Sequence, residues 1–258
     1  MTVPHFVKRN PAAPPGCFAA EAAGLCWLTV PGGVRTVPVL AVDEHSLTLQ
    51  RLHTVAPTPA AARDFGARLA ITHDAGADAF GCPPAGWTGP GFFGPLSAPM
   101  PMSLTGHDRW GSFYAHERLA PMLDRCAHRL PAAVCRVVEQ VIDRCADGWF
   151  DDDDHPVRLH GDLWSGNVLW TPDGVVLIDP AAHGGHRETD LAMLALFGCP
   201  HLDDILDAYQ QVRPLRPGWR DRIPLHQLYP LLAHVALFGA SYVGPTTLAA
   251  ASARRLFS

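Results

Sequence analysis

The segment His160-Gly161-Asp162-Leu163-Trp164-Ser165-Gly166-Asn167, with Ile178-Asp179-Pro180 beginning eleven residues after Asn167, constrains this chain more than any other feature. Between the two lie the short apolar runs Asn167–Trp170 and Val175–Ile178, joined by Thr171-Pro172-Asp173-Gly174, a composition made for a tight turn. A hairpin of that length returns Asp179 to the level of Asn167. Two carboxylates and one amide are therefore expected at the same end of one hairpin, and the rest of the fold has to be arranged around them.

A chain of 258 residues holds one large or two modest domains, and a hydrophobic fraction of 48% is enough for a sizeable core. Charged residues reach only 17%, with 25 Pro and 23 Gly, which excludes a coiled coil, a charged disordered chain and a repeat solenoid. A net charge of −5 removes any bulk electrostatic case for nucleic acid or an anionic membrane. Seven cysteines without a CxxC pair, and no charged segment followed by an apolar run at the start, fit reduced thiols in a cytoplasmic protein. Ile223–Ala253 carries no Asp, Glu, Lys or Arg, but it holds His226, Gln227, His234 and three prolines. It is expected to be a helix buried all round in a soluble domain and not a membrane span. Of the 20 basic residues, one alone is lysine, Lys8. Lysine is a compact point charge and arginine a planar fork, so the two are not interchangeable at a tight phosphate site.

Along the chain, His5–Arg9 reads as a strand, Phe18–Thr29 as a helix, and Val37–Val42 and Leu47–Leu52 as two strands. Thr58-Pro59 is an N-cap with proline at the first helical position, opening a helix to about His73. Residues 76–108 read as a long surface loop, and Gly89-Pro-Gly91-Phe-Phe-Gly94 within them as loop punctuation, because no strand leads into it and no helix follows. Helices are expected over about 110–127, 131–147, 188–198, 202–211, 224–243 and 246–257, with Asp151–Asp154 a solvated loop and Val157–His160 a further strand.

Phosphoryl transfer from ATP needs a carboxylate to orient and deprotonate the attacking hydroxyl, an oxygen ligand on the same loop, and a second carboxylate that closes on Mg²⁺. Asp162, Asn167 and Asp179 fit those roles in that order, and Asp-x4-Asn followed by a hairpin ending in Asp is the pattern of protein-kinase-like catalytic and metal loops. His160 is expected to brace the loop, Trp164 to offer a stacking face to a sugar, and His186 and Glu188 to face the cleft below the γ-phosphate. A metal-dependent hydrolase built on His160, Asp162, Asp179, His183 and His186 is the poorer reading, since catalytic zinc wants three protein ligands and an open position.

LHGDLWSGNVLW and VVLIDPAAHGGHRETDLAMLALFG resemble the fructosamine kinase (ketosamine kinase) family within the aminoglycoside-phosphotransferase-like group. FVKRN, Phe18–Leu25 and the C-terminal stretch from Pro217 to Gly239 are similar to that family as well, so the resemblance covers nearly the whole chain. It implies an α+β, protein-kinase-like two-lobe fold, with an N-terminal nucleotide lobe over 1–55 and a catalytic and substrate lobe over 56–258. It also implies ATP- and Mg²⁺-dependent phosphorylation of a sugar hydroxyl on a glycated amine. Lys8 matches the phosphate-clamping lysine, Glu21 the helix carboxylate that orients it, Gln50, Arg51 and Leu52 the adenine-binding hinge, and Asp190 the acid that holds the catalytic-loop backbone. Where the family often carries Asn and His near the acceptor, this chain has Ala233, Ala236 and Leu237. Met1–Val7 is too short for a phosphate-covering hairpin, whose two strands need about 5–6 residues each. A truncated small sheet and an open nucleotide cleft are therefore expected. An aminoglycoside or other sugar or amino-alcohol kinase, and a non-catalytic binding protein on the same fold, are the alternatives.

Overall fold

The computed structural model describes residues 4–257. Strand β1 (His5–Arg9) leads into helix α1 (Cys17–Leu28), followed by β2 (Arg35–Thr36), β3 (Val39–Val42) and β4 (Ser46–Gln50). β1, β4 and β3 form an antiparallel sheet in that order. Lys8 stands opposite Leu47 in the register, so its side chain shares the face on which Leu47 and Leu49 are buried. That face packs on Phe18 and Leu25 of α1, which is how a strand lysine comes to lie against a helix glutamate. The part of the N-terminal expectation that concerns residues 1–3 lies outside the described residues.

β2 was not expected, and it qualifies the boundary drawn at residue 55. It leaves the small sheet and pairs in parallel with β9 (Gly174–Leu177), the second arm of the hairpin formed with β8 (Val168–Thr171). Val176 of β9 accordingly packs in the same apolar cluster as Phe18, Leu47 and Leu49.

Helix α2 (Pro59–Asp74) starts as the sequence indicates, with the Thr58 side chain accepting a hydrogen bond from the Ala61 N–H. Residues 76–108 are not simply loop. Gly91–Phe93 (β5) and Met100–Met102 (β6) pair as a hairpin, tied back to the segment after β1 by Asn10 Nδ2 donating to the Leu96 carbonyl at 2.7 Å. The Gly and Pro content hid two short strands whose alternate residues Gly91, Phe93, Met100 and Met102 are buried.

The larger body is mainly helical. α3 (Trp110–Phe113) passes through a π-helical turn into α4 (Ala120–Cys126), and α5 (Ala132–Ala146) buries Val134, Val138, Val141 and Cys145 along one stripe. β7 (Val157–Leu159) precedes the catalytic-type loop and pairs with β10 (His183–Gly185), a strand too short and glycine-rich to read from sequence. α6 (Glu188–Leu196), α7 (Leu202–Val212), α8 (Trp219–Phe238) and α9 (Val243–Arg255) complete the chain.

The uncharged C-terminal run is not buried all round. It breaks at Gly239, and although α8 is buried through Val235, Phe238 is 53% exposed and Leu248 72% exposed. By length and composition 219–255 is apolar enough to cross a membrane, yet its first half is packed against α4, α6 and α9.

α2 and α7 approach so closely at Gly66 that a Cβ there would overlap the Ile205 carbonyl oxygen. Backbone carbonyls do not yield as side chains do. Gly66→Ala is expected to destabilise the protein by roughly 2–3 kcal/mol, measured by urea unfolding, by forcing the two helices apart.

Candidate active site

Lys8 Nζ lies 2.7 Å from Glu21 Oε2 and 3.1 Å from Asp179 Oδ1, so the small sheet, its helix and the loop after β9 meet at one ammonium. Burial alone would lower the lysine pKa, but Glu21 and Asp179 together hold it above the usual value. Asp179 adopts a left-handed backbone (φ 54°), uncommon for a residue other than glycine, which turns the chain sharply out of β9.

Across the cleft, the loop after β7 carries Asp162. Asn167 Nδ2 donates to both the Asp162 carbonyl (2.8 Å) and its carboxylate (3.2 Å), closing the loop on itself. The Asn167 carbonyl accepts the Ile178 N–H, which fixes the height of the hairpin's far end. Burial, reinforced by Asp179 and Asp190, pushes the Asp162 carboxyl up to about 7 in spite of the Asn167 hydrogen bond. Gly161 has φ 80°, and a Cβ there would collide with the Ala181 carbonyl oxygen, so only glycine lets this loop lie so close to the segment before β10.

The loop is held from behind. Asp190 accepts the N–H groups of His160 (2.7 Å) and Gly161 (3.0 Å), while His73 Nε2 lies 3.3 Å from the same carboxylate. His160 accepts the Asp162 N–H at Nδ1, and its Nε2 donates to the Ile178 carbonyl at 2.8 Å, the neutral tautomer that satisfies both. Burial holds its pKa below the usual histidine value. His73 Nδ1 meets Tyr209 Oη, which also accepts from Arg187, so the support runs on into α7. No single local motif marks His73 or Tyr209, and the sequence did not reveal them.

Lys8, Glu21, Asp162, Asn167 and Asp179 border one cavity of about 610 Å³, together with Trp164. His186 and Glu188 do not, which corrects the expectation that they face it. His186 is buried against Asp152, and Glu188 forms a bidentate pair with Arg222 while lying 3.4 Å from His226. The first turn of α6 points away from the cleft because Asp190 must point at the loop. Asp151–Asp154 is corrected in part: Asp151 accepts the Gly111 N–H, Asp152 pairs with His186 and Arg216, and Asp154 with Arg187, while Asp153 is exposed as expected. With His186 facing Asp152 and His183 buried on the Ala181 carbonyl, the ligand set of a hydrolase is not assembled.

Gln50, Arg51 and Leu52 do not border the cavity either. The Gln50 and Arg51 N–H groups are used within the sheet, on the Pro38 and Pro4 carbonyls, and Leu52 packs on the small apolar cluster. The sequence reading missed several residues that do border it: Phe92 and Leu96 of the β5–β6 hairpin, Phe197, His234, Phe238 and Tyr242. A signal existed for the last three, which recur every four residues as α8 runs into its terminal turn. Of Ala233, Ala236 and Leu237, only Leu237 reaches the cavity.

A strand lysine meeting a helix glutamate above an acid-and-amide loop is how kinase-like phosphotransferases are built, and solved structures agree. A thermostable mutant of aminoglycoside phosphotransferase APH(4)-Ia superposes with a TM-score of 0.62 over 98% of this chain and 87% of its own, at 16% identity, a likeness of fold. Within this class the chain belongs to the fructosamine kinase family, whose sequence model matches residues 2–251. A crystal structure of a fructosamine-3-kinase candidate from Thermobifida fusca is similar at 49% identity and a TM-score of 0.89, covering 98% of this chain and 86% of that one. An Enterococcus faecium protein named "Probable ketoamine kinase" is 33% identical over 245 residues, 92% of this chain and 83% of its own.

The raised Asp162 pKa has a consequence for stability. Its native value of about 7 exceeds the unfolded value of about 4, so the ionised carboxylate costs stability that is absent at low pH and grows as pH rises to about 7. Asp162→Asn is expected to raise Tm by a few degrees at pH 8 and by less at pH 5, in thermal unfolding across that range.

Proposed function

We propose that this small-molecule kinase of the fructosamine kinase family transfers phosphate from ATP to a sugar hydroxyl of a ketosamine, a sugar joined through carbon to an amine, with Asp162 as the base. The observation that carries this reading is the placement of Asp162 itself: its carboxyl titrates near neutrality and borders the same cavity as the Lys8–Glu21 pair and Trp164. The acceptor hydroxyl would give its proton to Asp162 as its oxygen bonds to the γ-phosphorus, and the bond from that phosphorus to the bridging oxygen breaks to release ADP. Lys8 is the cation available to the donor's phosphates, held in place by Glu21. Trp164, 39% exposed at the rim of the loop, offers its ring to the sugar face.

The residues present fit Mg²⁺. Asn167 Nδ2 is taken by Asp162, which leaves Oδ1 free to ligate, and the Asp179 carboxylate is 42% exposed to the cleft beside Lys8. These two side chains would hold the ion, which when bound neutralises charge on the phosphate oxygens. His160 and Asp190 act on the loop backbone and so position Asp162 without touching substrate.

Asp162→Asn is expected to lower kcat by roughly 10²–10⁴-fold with ATP binding retained, and wild-type kcat/KM is expected to rise with pH to a plateau above about 7, because only the ionised carboxylate accepts the proton. Coupled ADP-release assays against a ketosamine measure both; turnover of the variant within about threefold of wild type removes Asp162 from the mechanism. Asp179→Ala is expected instead to raise the Mg²⁺ concentration needed for half-maximal rate, read by titrating the metal at fixed ATP.

A further inference from the structure

The cavity is larger than a single sugar requires. Its volume of about 610 Å³ falls within the roughly 300–1,000 Å³ of pockets that enclose drug-sized ligands. Its Lys, Asp and Glu side chains are Lys8, Glu21, Asp162 and Asp179, which gather at one end. Beyond Trp164 the character changes. Phe197, His234, Phe238 and Tyr242 form one continuous wall, with ring centroids 5.0 Å apart for Phe197–His234, 4.7 Å for His234–Tyr242 and 6.0 Å for Phe238–Tyr242. Trp164 joins it edge-on to Phe197 at 6.3 Å. The β5–β6 hairpin also borders the cavity, through Phe92 and Leu96. Among the described residues no Asp, Glu, Lys or Arg borders this end. His234 adds no charge: its Nδ1 donates to the Pro230 carbonyl at 2.7 Å, and burial holds its pKa below the usual value.

Three of the large apolar side chains left open in this protein, Trp164, Phe197 and Phe238, are 39%, 40% and 53% exposed, and all line this one cavity. Uncovered rings concentrated in a slot continuous with the acceptor site are a binding surface in search of a matching group. Resting on the proposed ketosamine acceptor, we infer that this slot binds the substituent on the acceptor's amine, and that it selects an aromatic or bulky apolar one. The substrate class is then a low-molecular-weight ketosamine of an aromatic or apolar amine. A polycationic aminosugar finds no carboxylate along this wall to meet its ammonium groups, and a bare sugar leaves the slot empty.

The test compares two acceptors, the fructose adducts of methylamine and of benzylamine, with the wild-type enzyme and with Phe238→Ala and Phe197→Leu. Burying a phenyl-sized group is worth roughly ten- to a hundred-fold in binding. Wild type should therefore favour the benzylamine adduct in kcat/KM by about tenfold or more, through KM, and each variant should shrink that ratio severalfold while KM for ATP holds. Phe238 sits half-exposed at a helix end, so its truncation leaves the core intact, and Phe197→Leu keeps an apolar side chain. Phosphorylation of both adducts within about threefold of each other overturns the slot and leaves the ketosamine reading standing. A rise in KM for ATP in either variant puts the wall on the nucleotide side and overturns it too. Phosphorylation of neither adduct, with turnover on an aminoglycoside or a free sugar, overturns the acceptor class and the slot together.

Discussion

Each oxygen of Asp190 accepts a backbone N–H from the loop that carries Asp162, and the carboxylate itself is wholly buried. Burial of an unpaired charge is prohibitive, so such a group persists only where hydrogen bonds replace water. Here two amides and the His73 ring do so and keep it ionised below the usual carboxylate pKa, although burial pushes the other way. That requirement propagates. His73 needs Tyr209, Tyr209 needs α7 at the right distance from α2, and the helices reach that distance because Gly66 has no side chain. The orientation of α6 follows as well, and with it the withdrawal of His186 and Glu188 into an ion-pair network away from the cleft.

Charge in the site is deliberately unbalanced. Asp179 and Asp190 lie close enough to Asp162 to raise its pKa, and Lys8 is committed to Glu21 and Asp179. Among the described residues Asp162 has an amide neighbour and no ion-pair partner, and it is the group that shifts towards neutrality. A carboxyl shifted towards neutrality and another held below the usual carboxylate range thus sit on one loop and its support, because burial acts on both and the hydrogen bonds and charges around them differ.

Much of this was legible in the residues. The spacing from His160 to Asp179 announces its own geometry because the hairpin is local: neighbouring strands joined by a tight turn can pair in one way. The solitary Lys8 stands out against nineteen arginines. What stayed hidden was set by partners far along the chain. Asp151–Asp154 looks solvated until Gly111, His186, Arg187 and Arg216 arrive from other elements to bind it. Gly91–Phe93 carries glycine and proline signals for a loop and becomes a strand only because Met100–Met102 lies alongside. Arg35–Thr36 is two residues long, and nothing in it names Val176 and Leu177 as neighbours.

That last pairing bears on how the molecule can move. Kinase-like lobes are joined by a connecting strand, and rotation about it opens and closes the space between them. In this protein β2 adds a second attachment: Arg35 and Thr36 are hydrogen-bonded alongside β9, and the Val37 N–H donates to the Leu177 carbonyl at 3.0 Å. β9 leads through Ile178 into Asp179, so the strap ends beside the Lys8 ammonium. Swinging the small sheet away on that side would mean parting two strands. The spacing between Lys8 and Asp162 is thus held on that side by backbone hydrogen bonds of the fold itself.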